Sequence, residues 1–216
     1  MSIGDFLSVK KRLWVDQWQT IRLFYPSSRF ALIDLSFGLL ALFSNPYRTC
    51  RKFLQKRGSA DIYAYGETPL TTLKQMAEKA QLTSKDRWVE LGAGRGKGCF
   101  WIAHFVGCQT VGVEWVPSFV RKARWLKAFF RMKGLSFELK AMEEADFSSA
   151  TVVYLYGTCL SEEVISLLAK KMEALPKGAR VISISYPIES PSLVVKQTFE
   201  VSYPWGDTIA YLSTCN

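Results

Sequence analysis

The chain has 216 residues, 49% of them hydrophobic, enough for one main domain with an appendage and a substantial core. Its formal net charge of +9 is unevenly placed: residues 1–60 hold ten Lys/Arg against three Asp/Glu, a net +7, and the rest hold eighteen against sixteen. Five cysteines without a C-x-x-C pair, and a single histidine (His104), argue against a zinc site and a disulfide scaffold and for a reducing compartment.

The first 60 residues read as helical. Phe6, Leu7, Leu13, Trp14, Trp18, Ile21 and Phe24 recur at roughly helical spacing among Lys10, Lys11, Arg12 and Arg22, until Pro26 breaks the pattern. The run Phe30–Phe43 follows. As a helix, fourteen residues reach about 21 Å, short of the ~30 Å hydrocarbon core, and Asp34 makes spanning costlier. The run lies too far from the start to be a cleavable signal. A basic, aromatic flank comes next, with Tyr47, Arg48, Arg51, Lys52, Lys56 and Arg57. Two readings stay open for this segment: an interfacial helix on an anionic membrane face, which would place the protein in the cytoplasm at that face, or a helical cap on the remaining domain. The expected organisation is therefore residues 1–60 as extension and 61–216 as the main domain.

From residue 68 helices and strands alternate. Thr68 is expected to cap a helix whose first position is Pro69 and whose buried face is Leu70, Leu73, Met76, Ala77 and Ala80. Strands are expected at Arg87–Leu91, Thr110–Glu114, Phe137–Ala141, Val152–Tyr156 and Val181–Ser185. A helix runs from Pro117 to about Met132, with Gly134 ending it, and another starts after Ser161, with Glu162 and Glu163 in its first turn and Lys170 and Lys171 toward its other end. Leu193–Val201 and Thr208–Ser213 read as a closing antiparallel pair. This alternation implies an α/β fold with a doubly wound, mainly parallel seven-stranded sheet, whose ligands sit beyond the carboxyl ends of the strands at the reversal in strand order. His104, in the helix after the first strand, reads as a packing residue.

The stretch from Trp88 to Gly98 reads WVELGAGRGKG. A carboxylate ends a strand, glycines crowd the turn, and an apolar helical pattern follows, a design that lets a nucleotide-like ligand approach the main chain. The dinucleotide pattern G-x-G-x-x-G fails because Lys97 stands where the third glycine belongs, and no phosphate loop of the G-K-S/T type exists. What remains is E-x-G-x-G-x-G, from Glu90 through Gly92, Gly94 and Gly96. A second acid, Glu114, followed by Trp115, ends the next strand, where a carboxylate suits a ribose diol. This arrangement resembles the class I methyltransferases, and the resemblance implies S-adenosylmethionine as cofactor, with Glu90 near its cationic amino-acid end.

Residues 65–96 read YGETPLTTLKQMAEKAQLTSKDRWVELGAGRG. This resembles the non-SET histone-lysine methyltransferases of the disruptor-of-telomeric-silencing type, and extends over roughly residues 61–214; the chain is also similar to smaller membrane-linked protein-lysine methyltransferases that share the core. The resemblance implies a Rossmann-like methyltransferase fold and a protein substrate with an acceptor lysine. It makes Tyr65, Glu67 and Thr68 cofactor contacts and Glu143 the acid that meets the adenine amino group, with Glu144 and Asp146 as rivals. Where that family has an asparagine-rich turn after the fourth strand, this chain has Tyr156-Gly157-Thr158. Tyr156 and Tyr65 are the candidate catalytic aromatics, and Tyr63, Tyr186 and Trp205 are further candidates for an acceptor channel. Nucleic acid is not required, and no metal is implied. The competing readings are an RNA methyltransferase using the basic stretch Arg121–Lys133, a small-molecule or lipid methyltransferase, and a non-catalytic cofactor-binding membrane scaffold.

Overall fold

A computed structural model describes residues 3–59, 61, 62 and 65–216, with side chains from Ser8 onward. Three helices come first: α1 (Ile3–Phe24), α2 (Ser28–Phe43) and α3 (Pro46–Lys56). Pro26 separates α1 from α2, and Ser27 caps α2 by accepting from the Phe30 amide. The domain then runs α4 (Leu70–Lys79), β1 (Arg87–Leu91), α5 (Lys97–Trp101), β2 (Gln109–Glu114), α6 (Pro117–Phe129), β3 (Leu135–Leu139), β4 (Val152–Leu155), α7 (Glu162–Met172), β5 (Arg180–Ile184), β6 (Leu193–Tyr203) and β7 (Gly206–Cys215).

The seven strands form one sheet in the order β3-β2-β1-β4-β5-β7-β6. The first five are parallel, and β7 inserts antiparallel between β5 and β6. Strand order reverses between β1 and β4. Both faces of the sheet are covered, so β1 and β4 are buried along nearly their whole length. On one face Trp88, Tyr154 and Ile182 pack with α4 and with Phe24 and Phe30 from the N-terminal helices. On the other, Val89, Val113, Val153 and Val181 pack with Leu168 and Met172 of α7. A third cluster joins Ile33 and Phe37 of α2 to Phe100, Ala123, Leu126 and Phe137. The N-terminal helices thus share the core of the domain they precede.

Several boundaries differ from expectation. Pro69, not Thr68, occupies the cap position of α4 and has no side-chain acceptor to cap with, while the Thr68 hydroxyl is engaged with Tyr154. Helix α6 ends at Phe129 rather than near Met132; Arg131 turns left-handed (φ 48°), and β3 begins two residues earlier than the apolar run suggests. Helix α5 is one short stretch that continues as a π turn over Ile102–Val106, where His104 packs on Phe30 and meets the Ser27 hydroxyl at 2.8 Å. Lys171 donates to the carbonyls of Glu143 and Ala145, tying α7 to the loop after β3.

Candidate functional site

The glycine loop lies at the reversal in strand order. As β1 ends, the amides of Gly92 and Ala93 both donate to the Val113 carbonyl at 2.9 Å. Gly92, Gly94 and Gly96 take φ values of 80°, 56° and 86°, a region that side-chain-bearing residues avoid. Glu114, at the end of β2, accepts from the Gly94 amide at 2.8 Å through one oxygen and from the Val116 amide at 2.7 Å through the other. One carboxylate therefore ties the loop after β1 to the loop after β2.

Glu90 sits behind the loop, buried, with its carboxylate accepting from the Cys99 thiol at 3.1 Å. A thiol is a weak donor for a buried acid. Burial pushes both Glu90 and Glu114 up to about 7 from the ordinary 4.5. Between those values the folded chain holds protons that the unfolded chain has released. Their contribution to stability is full below the ordinary value and is lost as pH rises through about 7. Thermal unfolding of the cofactor-free protein should show Glu90→Gln with a shallower loss of stability than wild type over that window; equal slopes would contradict the assignment. A cationic ligand favours the ionised carboxylate, so its affinity should rise over the same window.

The Y-G-E-T loop closes the front. A Cβ on Gly94 would lie 3.3 Å from the Tyr65 ring, and a Cβ on Gly92 would lie 3.4 Å from Met142, which places Tyr65 and Met142 as the two walls of the cradle. The Tyr65 hydroxyl donates to Glu67 at 2.5 Å, and its ring packs against Tyr47 and Phe119. Both Glu67 oxygens accept from Arg95, at 2.5 and 2.8 Å. Although burial opposes its charge, the Arg95 and Tyr65 hydrogen bonds hold Glu67 below the ordinary carboxylate range. Trp115 meets Phe53 of α3 edge-on and lies under the Arg57 guanidinium, and Glu143 sits in a single turn after β3, beside Met142.

An aromatic group stands on the β4 side of the cradle. Glu90 is the register partner of Tyr154. The Tyr154 hydroxyl is 2.6 Å from that of Thr68 and 3.1 Å from that of Tyr203. Tyr156 follows β4, is half-buried, and accepts from Trp205 Nε1 at 2.8 Å. Trp205 stacks on Tyr203 with ring centroids 5.5 Å apart. Tyr65, Glu67, Glu90, the three glycines and Glu114 thus come together, as do Thr68, Tyr156 and Trp205. Tyr186 is 64% exposed and is not in this group; Tyr63 lies outside the described residues. Sequence reasoning missed Tyr154, which reads as strand core, and Tyr203, which falls beyond the expected end of its strand at Val201. It also missed Arg95, whose signal was a cation set between two glycines.

The residues fit S-adenosylmethionine. A buried carboxylate met by a thiol suits the amino-acid ammonium, Glu114 suits the ribose, and glycines without side chains leave the main chain of the loop uncovered by any Cβ. A cradle of this kind at the switch point of a sheet whose last strand in chain order is inserted antiparallel defines the class I S-adenosylmethionine-dependent methyltransferases. Within that class, the profile of the histone methylation protein DOT1 family matches residues 49–198, and the chain belongs to that family. It is 24% identical over 157 residues to a histone-lysine N-methyltransferase, H3 lysine-79 specific, of Dictyostelium discoideum. That match covers 66% of this chain but 8% of that protein, so the chain corresponds to a small part of its length. Among solved structures it is similar to an RNA methyltransferase from Salinibacter ruber in complex with S-adenosyl-L-homocysteine, at 27% identity and a TM-score of 0.60, over 70% of this chain and 95% of that one. The fold likeness to MtNAS (16% identity, TM-score 0.55) covers 99% of this chain, the N-terminal helices included, and 72% of that chain.

Proposed function

We propose that this protein is a protein-lysine N-methyltransferase. The observation that carries the reading is the Tyr154, Tyr156, Tyr203 and Trp205 group, placed at the end of β4 directly beside the cradle. Bound S-adenosylmethionine supplies an electrophilic methyl group on a positive sulfur. The chain's task is to align an amine, exclude water and keep that amine neutral. A lysine has a solution pKa of about 10.4, and burial among aromatic rings disfavours its charged form. No strong base is then required. The Tyr156–Trp205 hydrogen bond ties the β6–β7 turn to the end of β4. A histone lysine is the first acceptor to try, given the DOT1 relative.

Incubation with methyl-labelled cofactor and cell lysate tests this. Label should enter protease-sensitive material, with methyl-lysine found by mass spectrometry. Tyr156→Phe should lower turnover roughly tenfold, the value of one lost hydrogen bond near the reacting group, with cofactor affinity unchanged. Ribonuclease-sensitive label would instead favour RNA as substrate. That second reading is supported by the Salinibacter ruber likeness and by an open groove of about 560 Å³ lined by Arg124, Lys127, Arg131 and Lys133.

We further propose that α1–α3 dock on an anionic membrane face, which would hold the protein in the cytoplasm at that surface. Among the described residues no single helix is long and apolar enough to cross a membrane; α2 and α3 together, bent by 60°, meet that length and composition. Leu32, Leu35, Leu39, Leu42 and Phe43 of α2 and Trp14 and Trp18 of α1 are exposed, as are Lys11, Arg22, Arg48, Arg51 and Lys52. Apolar side chains beside exposed cations suit an interface of that charge. Wild type should co-sediment with vesicles containing phosphatidylserine, and Leu39→Asp with Leu42→Asp should not. Equal recovery in the supernatant would remove the reading.

A further inference from the structure

In the glycine loop three glycines at positive φ alternate with short or cationic residues, and its bonds to Val113 and Glu114 are joined by a second set of contacts from its cations. Both cations reach the same helix. Arg95 Nη1 donates to the Phe37 carbonyl of α2 at 2.9 Å, and its guanidinium lies 5.6 Å from the centre of the Phe37 ring. Lys97 Nζ lies 2.8 Å from Asp34 of α2 in an ion pair, and the other Asp34 oxygen accepts from the Tyr25 hydroxyl at 3.0 Å. Asp34 is the one charged residue in the Phe30–Phe43 run, and it is only 6% exposed. A buried ion pair adds little net stability over apolar packing, and its best-supported use is to fix one arrangement against others. Here the arrangement fixed is that of Gly96 and its neighbours, between the two cations.

We infer that Arg95 and Lys97 are positioning residues through which α2 holds the glycine loop in its binding shape, so that affinity for the adenosyl donor depends on the N-terminal helices. This rests on the methyltransferase reading of the cradle. Residues 28–43 are then a wall of the cofactor site rather than a separable anchor.

The test uses the full chain, with S-adenosylhomocysteine as the probe. Asp34→Asn and Lys97→Met should each weaken its calorimetric affinity about tenfold, as expected if the binding-ready loop falls to roughly a tenth of the population. Amide exchange across residues 92–98 should quicken in the cofactor-free protein, while the β4 and β5 amides keep their protection. Lys97→Arg should restore both readouts. The KM for the methyl donor should rise with kcat changed less than about twofold, since the loop's equilibrium and not the reacting group is altered. Lys74→Met, which removes a surface pair with Glu78, is the control and should change nothing. Unchanged affinity and loop exchange in folded Asp34→Asn would overturn the inference, as would faster exchange spread evenly over the sheet. If wild type itself fails to bind the probe, the methyltransferase reading falls and this inference with it.

Discussion

Gly94→Val should weaken cofactor binding at least about a hundredfold, the largest functional effect expected of a single loop substitution, through lost approach to the main chain and a displaced loop. Gly94 sits at φ 56°, where a β-branched residue is strained, and any Cβ there points at the Tyr65 ring 3.3 Å away. Its amide is also the one that Glu114 accepts from, so turning the backbone to relieve the strain would detach the second acid from the loop. The cost in stability should be smaller, about 1–2 kcal/mol for the left-handed backbone. The outcome to look for is a folded protein that no longer binds S-adenosylhomocysteine. Binding within about threefold of wild type, less than 1 kcal/mol of difference, would mean that the ligand does not approach at Gly94.

Gly96→Ala should be the most destabilising of the loop changes, by about 2–5 kcal/mol, adding core overpacking to left-handed strain. A Cβ there would lie 2.5 and 2.7 Å from two atoms of the Phe137 ring. That ring cannot withdraw, because it is buried and stacked on Phe100. Gly107 separates the two causes: it has a similar φ of 76° with nothing within 4 Å of an added Cβ. Gly107→Ala should therefore cost only the backbone share, about 1–2 kcal/mol. Urea unfolding of the two variants gives the comparison; equal losses would show that Phe137 moves aside.

Much of this was legible in the chain. β1 was read to its bounds and the other parallel strands to within two residues, because buried β-branched runs end at turn residues. The cradle was legible because a carboxylate before alternating glycines and a second carboxylate one strand later have few purely structural uses. What stayed hidden was long-range. Thr68 looks like a cap in sequence, yet Tyr154, 86 positions away, takes its hydroxyl. The early end of α6 depends on Arg131 turning left-handed, for which no glycine or proline gives warning. Helix α2 is apolar on every side, so its periodicity could not separate Ile33 and Phe37, which face the core, from Leu32, Leu35 and Leu39, which do not. Asp34 reads as an obstacle to membrane insertion until Lys97 is placed beside it.

The N-terminal helices hold other parts of the site as well. Arg12 of α1 pairs with Asp207 at 2.6 Å, two residues from Trp205. Phe53 of α3 and Arg57, which follows that helix, pack on Trp115, next to Glu114. The matched DOT1 region covers residues 49–198, so α1 and α2 lie ahead of it; α2 nevertheless touches its glycine loop, and α1 reaches Asp207, beyond its far end.

A crystal structure of the protein grown with S-adenosylhomocysteine tests the central claim most directly. The ligand should lie along the glycine loop, with its amino group at Glu90, its ribose at Glu114 and its sulfur facing Tyr156. A ligand bound elsewhere, or a loop with no ligand despite saturating concentration, would contradict the account.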